Sequence, residues 1–370
     1  MKSPLRTVAI AFVLLATAAV AQKPKITNAK VDEATASGGL QTTVNSLVAA
    51  SSGAAWIGYR IPAQPKDRTM CCWDSTTHSG SDGKCCLGCR MDSDHGNSFS
   101  GTMSDCAPPE PAPYAFVFLK AEGKQIRRVR VYSPDCPLDF ANLPLHWLED
   151  VKPEQSIALL MGLLADPGLR EQSVSETDGY ERRLTHQTVM AIAIHDVPAA
   201  DGALEKLLQP SQPGQMREQA AFWLAVERGK AGYVLLRKYV MKDADDRFRE
   251  KGTFALSQVK EPEAVQDLIT IARSDASTRV RSQAIFWLAQ KGGRKAAESI
   301  TDAIENDPET AVKKKAVFAL SQMHEGDGVS MLIQVARTNR NPVVRKEAIF
   351  WLGQSHDERA LSYLEEILSK

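Results

Sequence analysis

Seven cysteines are the side chains whose crowding in this sequence most suggests chemistry, and all lie between Cys71 and Cys136. They arrive as Cys71-Cys72, Cys85-Cys86, Cys89, Cys106 and Cys136, in a stretch poor in aliphatic residues and rich in Gly and Ser. Three chemistries compete for them. A cluster of disulfides would staple a small module that cannot pack by burial alone, and it is the favoured reading. Seven is odd, so one thiol is left free, paired between chains or held by a ligand. Zinc would take Cys86 and Cys89 with Cys71, Cys72, His78 or His95, since thiolates and imidazole suit that ion. The chain has a single C-x2-C, however, with no second at zinc-ribbon spacing. Thiol exchange at Cys86 and Cys89 is the third reading, but no strand-to-helix turn is evident to lower a cysteine pKa there. Arg90 rather than His follows Cys89, which removes a c-type haem. No cofactor is therefore expected, with zinc as the alternative.

No other catalytic constellation emerges. The chain lacks G-x-S-x-G, H-E-x-x-H and a phosphate-cradling glycine loop. His186 and His195 stand nine residues apart, whereas His324 and His356 share one phase of a repeat, as turn residues would. An enzyme is thus the less favoured class. Lys+Arg and Asp+Glu both number 45, so no global field draws nucleic acid.

The N-terminus opens with Lys2 and Arg6, runs apolar from Val8 to Val20, and ends in Ala19-Val20-Ala21 before Gln22. This is the pattern of a secretory signal peptide cleaved after Ala21, and the run is too short to span a bilayer core of about 30 Å. No later segment is apolar enough to span. The expected location is secreted or periplasmic. Residues 22–50 read as a flexible linker, and 51–143 as the cysteine-rich module. Within the module, Trp56 to Pro62 alternates like a strand. Ala112–Ala121 and Gln125–Ser133 flank Glu122-Gly123-Lys124 as a hairpin, whose second strand should have one packed and one wet face.

The remainder of the chain is periodic. Phe222, Phe254, Phe286, Phe318 and Phe350 recur every 32 residues, followed in turn by Trp-Leu or Ala-Leu. Arg217, Arg249, Arg281, Lys313 and Arg345 precede them by five, and Ala220, Gly252, Ala284, Ala316 and Ala348 by two. Leu236, Leu268, Ile300, Leu332 and Leu364 mark the second half of each unit. Spacings of three and four make each unit a pair of helices, and a stack of such pairs should bury the recurring Phe between neighbours. A cation near a helix start opposes the helix dipole, so a carboxylate or carbonyl of the adjacent unit is the expected partner. Residues 216–370 hold five units, and 144–215 two degenerate or capping ones around Met190-Ala191-Ile192 and Ser156–Leu164.

The V-R/K-x-x-A-x-x-(A/W)-L pattern at Val280-Arg281, Val312-Lys313 and Val344-Arg345, with its Asp/Asn-Pro lead-in, resembles HEAT repeats of the short bacterial type. The HEAT-like repeats of phycobilisome lyases are among them. The resemblance spans 154–370 and implies a mostly-α solenoid of two-helix repeats, here preceded by a small cysteine-rich β-containing module. It implies adaptors, regulators and a few lyases rather than one activity.

These readings converge on an exported scaffold that binds a protein or peptide partner on its helical surface. Trp223, Trp287 and Trp351, with Arg281, Lys313 and Arg345, are the candidate contacts. Tryptophans alternating with Ala255 and Ala319 also fit plain core packing, in which large and small side chains interleave. The rivals are metal or thiol-redox chemistry in the cysteine module, and carbohydrate or cell-wall recognition around Trp56 and Trp73.

Overall fold

The computed structural model describes residues 23–64, 89–91, 112–134, 136–166, 179–323 and 327–369. The signal-like segment, Cys71, Cys72, Cys85, Cys86, Cys106, Trp73, His78, His95 and His324 lie outside the described residues.

The N-terminal module is built on a five-stranded sheet in the order β2-β8-β3-β5-β6. Its strands are β2 (Val31–Thr35), β3 (Ala55–Pro62), β5 (Tyr114–Glu122), β6 (Gln125–Tyr132) and β8 (Leu145–Glu149). Strands β2, β8 and β3 run parallel, and β5 and β6 antiparallel. The hairpin between β5 and β6 turns on Gly123 and Lys124, both at positive φ (60° and 64°), the two-residue turn whose twist suits paired strands. A smaller parallel sheet of β1 (Lys25–Thr27), β4 (Cys89–Arg90) and β7 (Pro137–Asp139) contributes to the core on one face of the larger sheet.

Residues 23–50 are not a linker. They supply β1, β2 and helix α1 (Leu40–Ala50), which carries the chain between parallel strands and buries Leu40, Val44 and Val48. Their low apolar content hid this, since three residues one helical turn apart are enough to seat a short crossover helix. The module also runs past residue 143, because β8 lies inside the sheet, between β2 and β3.

Alternation along β3 and β5 sends Trp56, Phe116 and Phe118 to one face and Ile57, Tyr59, Ile61, Val117 and Leu119 to the other. Both faces are covered. The aromatic face gathers Trp56, Phe116, Phe118, Tyr132, Phe140 and Trp147 in edge-on and tilted contacts. Gly58 makes room for them, since a Cβ there would lie 2.7 Å from the Phe118 ring. The expected wet face of β6 is accordingly half-packed, with Arg127, Arg128 and Arg130 partly covered and Tyr132 buried. Cys89 and Cys136 are buried in this aromatic core and disulfide-bonded.

The other face belongs to the helices. Helix α2 (Pro153–Ala165) donates Ser156 Oγ to the Tyr59 hydroxyl at 3.0 Å, and α3 (Gly179–Ala193) packs on β6. At the end of β3, Ala63 bridges His195, while Gln64 N donates to Ile194 O and Asp196 N to Pro62 O. Arg228 clamps the same loop through Ala193 O, His195 O, Val197 O and Asp201. Sheet and helices therefore share one apolar core.

Helix pairs follow: α4 (Ala199–Leu208) behind α3, then α5 (Gly214–Glu227) with α6 (Gly229–Val240), and α7 (Asp246–Gln258) with α8 (Glu263–Ser274). Next come α9 (Thr278–Lys291) with α10 (Arg294–Asn306), α11 (Thr310–Ser321) with α12 (Asp327–Thr338), and α13 (Pro342–Gly353) with α14 (Glu358–Leu368). Each first helix packs on the next, giving an α-solenoid. Small residues govern the approach. Ala220, Ala284, Ala316 and Ala348 have no exposed surface, and a Cβ on Gly252 would sit 2.4 Å from Val240 Cγ2. A second small phase, Ala200, Gly232, Ala264, Ala296, Gly328 and Ala360, starts the second helices against the ends of the first. A Cβ on Gly232 would meet the Leu224 carbonyl oxygen at 2.1 Å.

Candidate functional site

The recurring cation has the partners its position demanded. Arg249 forms a two-pronged pair with Asp275 at 2.9 Å and 2.9 Å, and Arg281 one with Asp307 at 2.8 Å and 3.1 Å. Arg217 reaches Asp243 through one Nη only, while its Nε donates to Leu208 O. Each aspartate also caps the next first helix: Asp275 accepts from Ser277 N and Asp307 from Glu309 N. The guanidinium then reaches back to the preceding loop, Arg281 to Asp275 O and Arg345 to Asn339 O. Where the acid becomes Asn339, the cation becomes Lys313, which donates to Glu305 O instead. Both a carboxylate and a carbonyl are thus used. Arg281 is only 7% exposed, so it serves the stack and offers nothing to a partner. The depression of about 260 Å³ beside Met241, Arg249 and Ile271 is walled by this ladder, whose charges already satisfy one another.

The phenylalanines lie elsewhere than expected. Phe254 and Phe350 are 36% and 54% exposed, and Phe222, Phe286 and Phe318 are half-buried. The positions fully enclosed are the small residue two before each Phe and the leucine two after it: Leu224, Leu256, Leu288, Leu320 and Leu352. A helix apolar on nearly every side gives no periodic clue to which side faces inward. The rings instead meet along the seam between first helices. Phe222 stacks on Phe254 at 5.9 Å and Phe286 on Phe318 at 6.3 Å, with planes 9° and 7° apart. Trp287 bridges Phe254 and Phe286, and Trp351 bridges Phe318 and Phe350, at 4.8–5.1 Å. Trp223 reaches back to His186 in the same manner.

This ribbon explains the alternation of Trp with Ala. A tryptophan fills the step back to the preceding unit, and Ala255 and Ala319 leave the next step to direct Phe stacking. Trp223 is buried at 1%, whereas Trp287 and Trp351 are half-buried. The indole N–H of Trp351 donates to Glu347 at 3.1 Å.

A polar row escaped the sequence reading. Gln258, Gln290, Gln322 and Gln354 stand four residues after their phenylalanines, at the same 32-residue spacing, and all four are exposed. Gln258 and Gln322 donate to Ser257 and Ser321 at 3.0 Å and 3.1 Å, and those hydroxyls donate to the Phe254 and Phe318 carbonyls. Aligning polar as well as apolar positions would have found the row. On the other side of the ribbon lie Glu218, Glu250 and Lys251, then Lys314, Lys315, Lys346 and Glu347. Glu250 pairs with Arg279, Lys314 pairs with Glu347, and Lys315 lies 5.9 Å from the Phe318 ring.

Residues 200–289 and 297–370 match the family model for HEAT repeats. No curated protein matches the chain. Among solved structures, human deoxyhypusine hydroxylase is 18% identical over 58% of this chain and 90% of its own, with a TM-score of 0.24. The CpcE–CpcF complex of phycocyanin lyase from Nostoc sp. is 17% identical over 55% of this chain and 77% of its own, at 0.29. The Cnd3–Cnd2 condensin subcomplex of S. pombe is 16% identical over 59% of this chain and only 34% of its own, at 0.37. Such loose likenesses carry no activity or partner across. The HEAT-like array is typical of protein-interaction scaffolds, and among the described residues no helix is long and apolar enough to cross a membrane.

The remaining candidates separate. His186 joins the aromatic ribbon through Trp223 and Gln219, while His195 is buried at the sheet–helix junction and His356 sits exposed in the loop before α14. Trp56 is fully buried, which leaves it unable to line a sugar site. No group of metal-ligating side chains occurs among the described residues, and the zinc and redox candidates other than Cys89 lie outside them. Cys89 is disulfide-bonded and buried beside β7.

Proposed function

We propose that this chain is an exported scaffold whose HEAT-like array holds a protein or peptide partner along the first helices. One observation carries the reading: a continuous aromatic ribbon crosses five units and leaves Phe254 and Phe350 open to solvent. Large apolar rings kept in register at a surface are what interfaces use as anchors. The basic, then apolar, then small-residue N-terminus and the disulfide-bonded Cys89 and Cys136 support export to an oxidising compartment. The sheet module would anchor or orient the array.

Crosslinking in the producing cells followed by affinity capture of the full chain tests this. A stoichiometric partner and no turnover of small substrates are expected. Absence of any partner together with robust turnover would overturn it. N-terminal sequencing of the exported form should begin at Gln22; a retained Met1 would remove the export reading.

A further inference from the structure

We infer that the ribbon and its glutamine row together form a track for an extended polypeptide segment with apolar side chains and carboxylates toward one end. The inference rests on the scaffold reading and names the form of its partner.

Three observations converge on it. First, the rings advance by 4.8–6.3 Å per contact from Phe222 to Phe350. That path of roughly 30 Å is the reach of about ten residues in extended conformation, at about 3.3 Å each. A globular partner would need a broad patch, whereas this surface is one ring wide.

Second, Gln258, Gln290, Gln322 and Gln354 follow the rings one helical turn on, along the same face. A primary amide both donates and accepts, and so does each peptide unit of an extended chain. One amide in each of four successive units, beside an apolar strip, is therefore matched to main-chain hydrogen bonds with side chains lying on the rings. In two of the four units a serine hydroxyl takes the Gln N–H, which fixes the amide and leaves its carbonyl oxygen for a peptide N–H. A lipid tail has no groups to pair with amides at a fixed repeat.

Third, charge gives the track a direction. Lys314, Lys315 and Lys346 face a single acid, Glu347, near its C-terminal end, and among the described residues Lys315 and Lys346 enter no ion pair. Toward the other end Glu218 and Glu250 are matched by Lys251 and by Arg279, which pairs with Glu250, so no cation is left over there. Carboxylates of the bound segment thus belong over units four and five.

The test uses the full chain and fluorescein-labelled ten-residue peptides that alternate Val or Phe with Ser and end in two glutamates. Controls carry lysines in place of the glutamates, or N-methyl groups on alternate amides. Anisotropy should show binding of the parent, at least tenfold weaker binding of the lysine peptide, and similar loss with Phe350→Ser. Gln290→Ala with Gln354→Ala should weaken the parent severalfold and leave the N-methylated peptide unaffected. All these positions are on the surface, and unchanged thermal melts confirm folding. Equal binding of glutamate and lysine peptides, or no effect of the glutamine pair, would overturn the track. If the partner captured from cells is held equally by Phe350→Ser, the track fails while the scaffold survives; if wild type captures nothing, the scaffold itself fails.

Discussion

Arg281 shows how a charge on a helical surface can be entirely structural. Its side chain and that of Asp307 are 8% and 4% exposed, so removing one strands the other without water. Arg281→Ala should cost about 3–5 kcal/mol, read as a drop in urea midpoint, and Lys should restore only part because it lacks the two-pronged fork. A loss below about 1 kcal/mol would mean that water reaches Asp307. His195 is the residue that ties stability to pH. Burial, aided by the positive Arg228, lowers its pKa to about 4, while Ala191 O holds its Nδ1 at 2.6 Å. Unfolded, it titrates near about 6.5. As pH falls from about 6.5 toward 4, the unfolded chain takes a proton that the native state refuses, so stability declines, by up to roughly 3 kcal/mol, and above that window the group contributes no slope. Denaturation at pH 7.5 and 5 should show a smaller decline in His195→Gln than in wild type; parallel declines would assign the acid sensitivity elsewhere.

Among elements, close approach of helices depends on single missing methyl groups. Gly252→Ala would gain up to about 1 kcal/mol of helix propensity. Its Cβ would nevertheless fall 2.4 Å from Val240 Cγ2, a stiff buried side chain, and overpacking of this kind costs about 1–3 kcal/mol. Net destabilisation is expected, relieved when Val240→Ala is added. Additive losses in the double variant would show that the contact is not the cause. Helix boundaries were largely legible. The spans centred on 280–289 and 264–273 became α9 and α8, and the hairpin around Gly123-Lys124 became β5 and β6. The direction each helix faces was not, because first helices carry apolar residues on nearly every side. Phe248, Leu256 and Ala255 are buried while Phe254 between them is not, and no local rule separates them.

At the scale of the molecule, the sheet is the first layer of the solenoid rather than an appendage. Val129 and Val131 of β6 share a core with Met190 and Ile192 of α3, and the loop after α3 hydrogen-bonds the end of β3. Hydrogen exchange should therefore give β6 and α3 the same opening free energy. Independent opening of β6 while α3 stays protected would show two separate domains.

Periodicity alone determined the helix pairs, their number and the need for a partner to each recurring cation, because stacked copies must repeat every contact they share. It also carried the glutamine row, visible to anyone aligning polar positions. The fold decided which ring faces water, which arginine is spent on a neighbour, and that residues 23–50 and 145–149 join one sheet. Those outcomes depend on contacts between segments far apart in the chain. Strand β8 sits between β2 and β3, and the Phe ribbon exists only once five helices lie side by side.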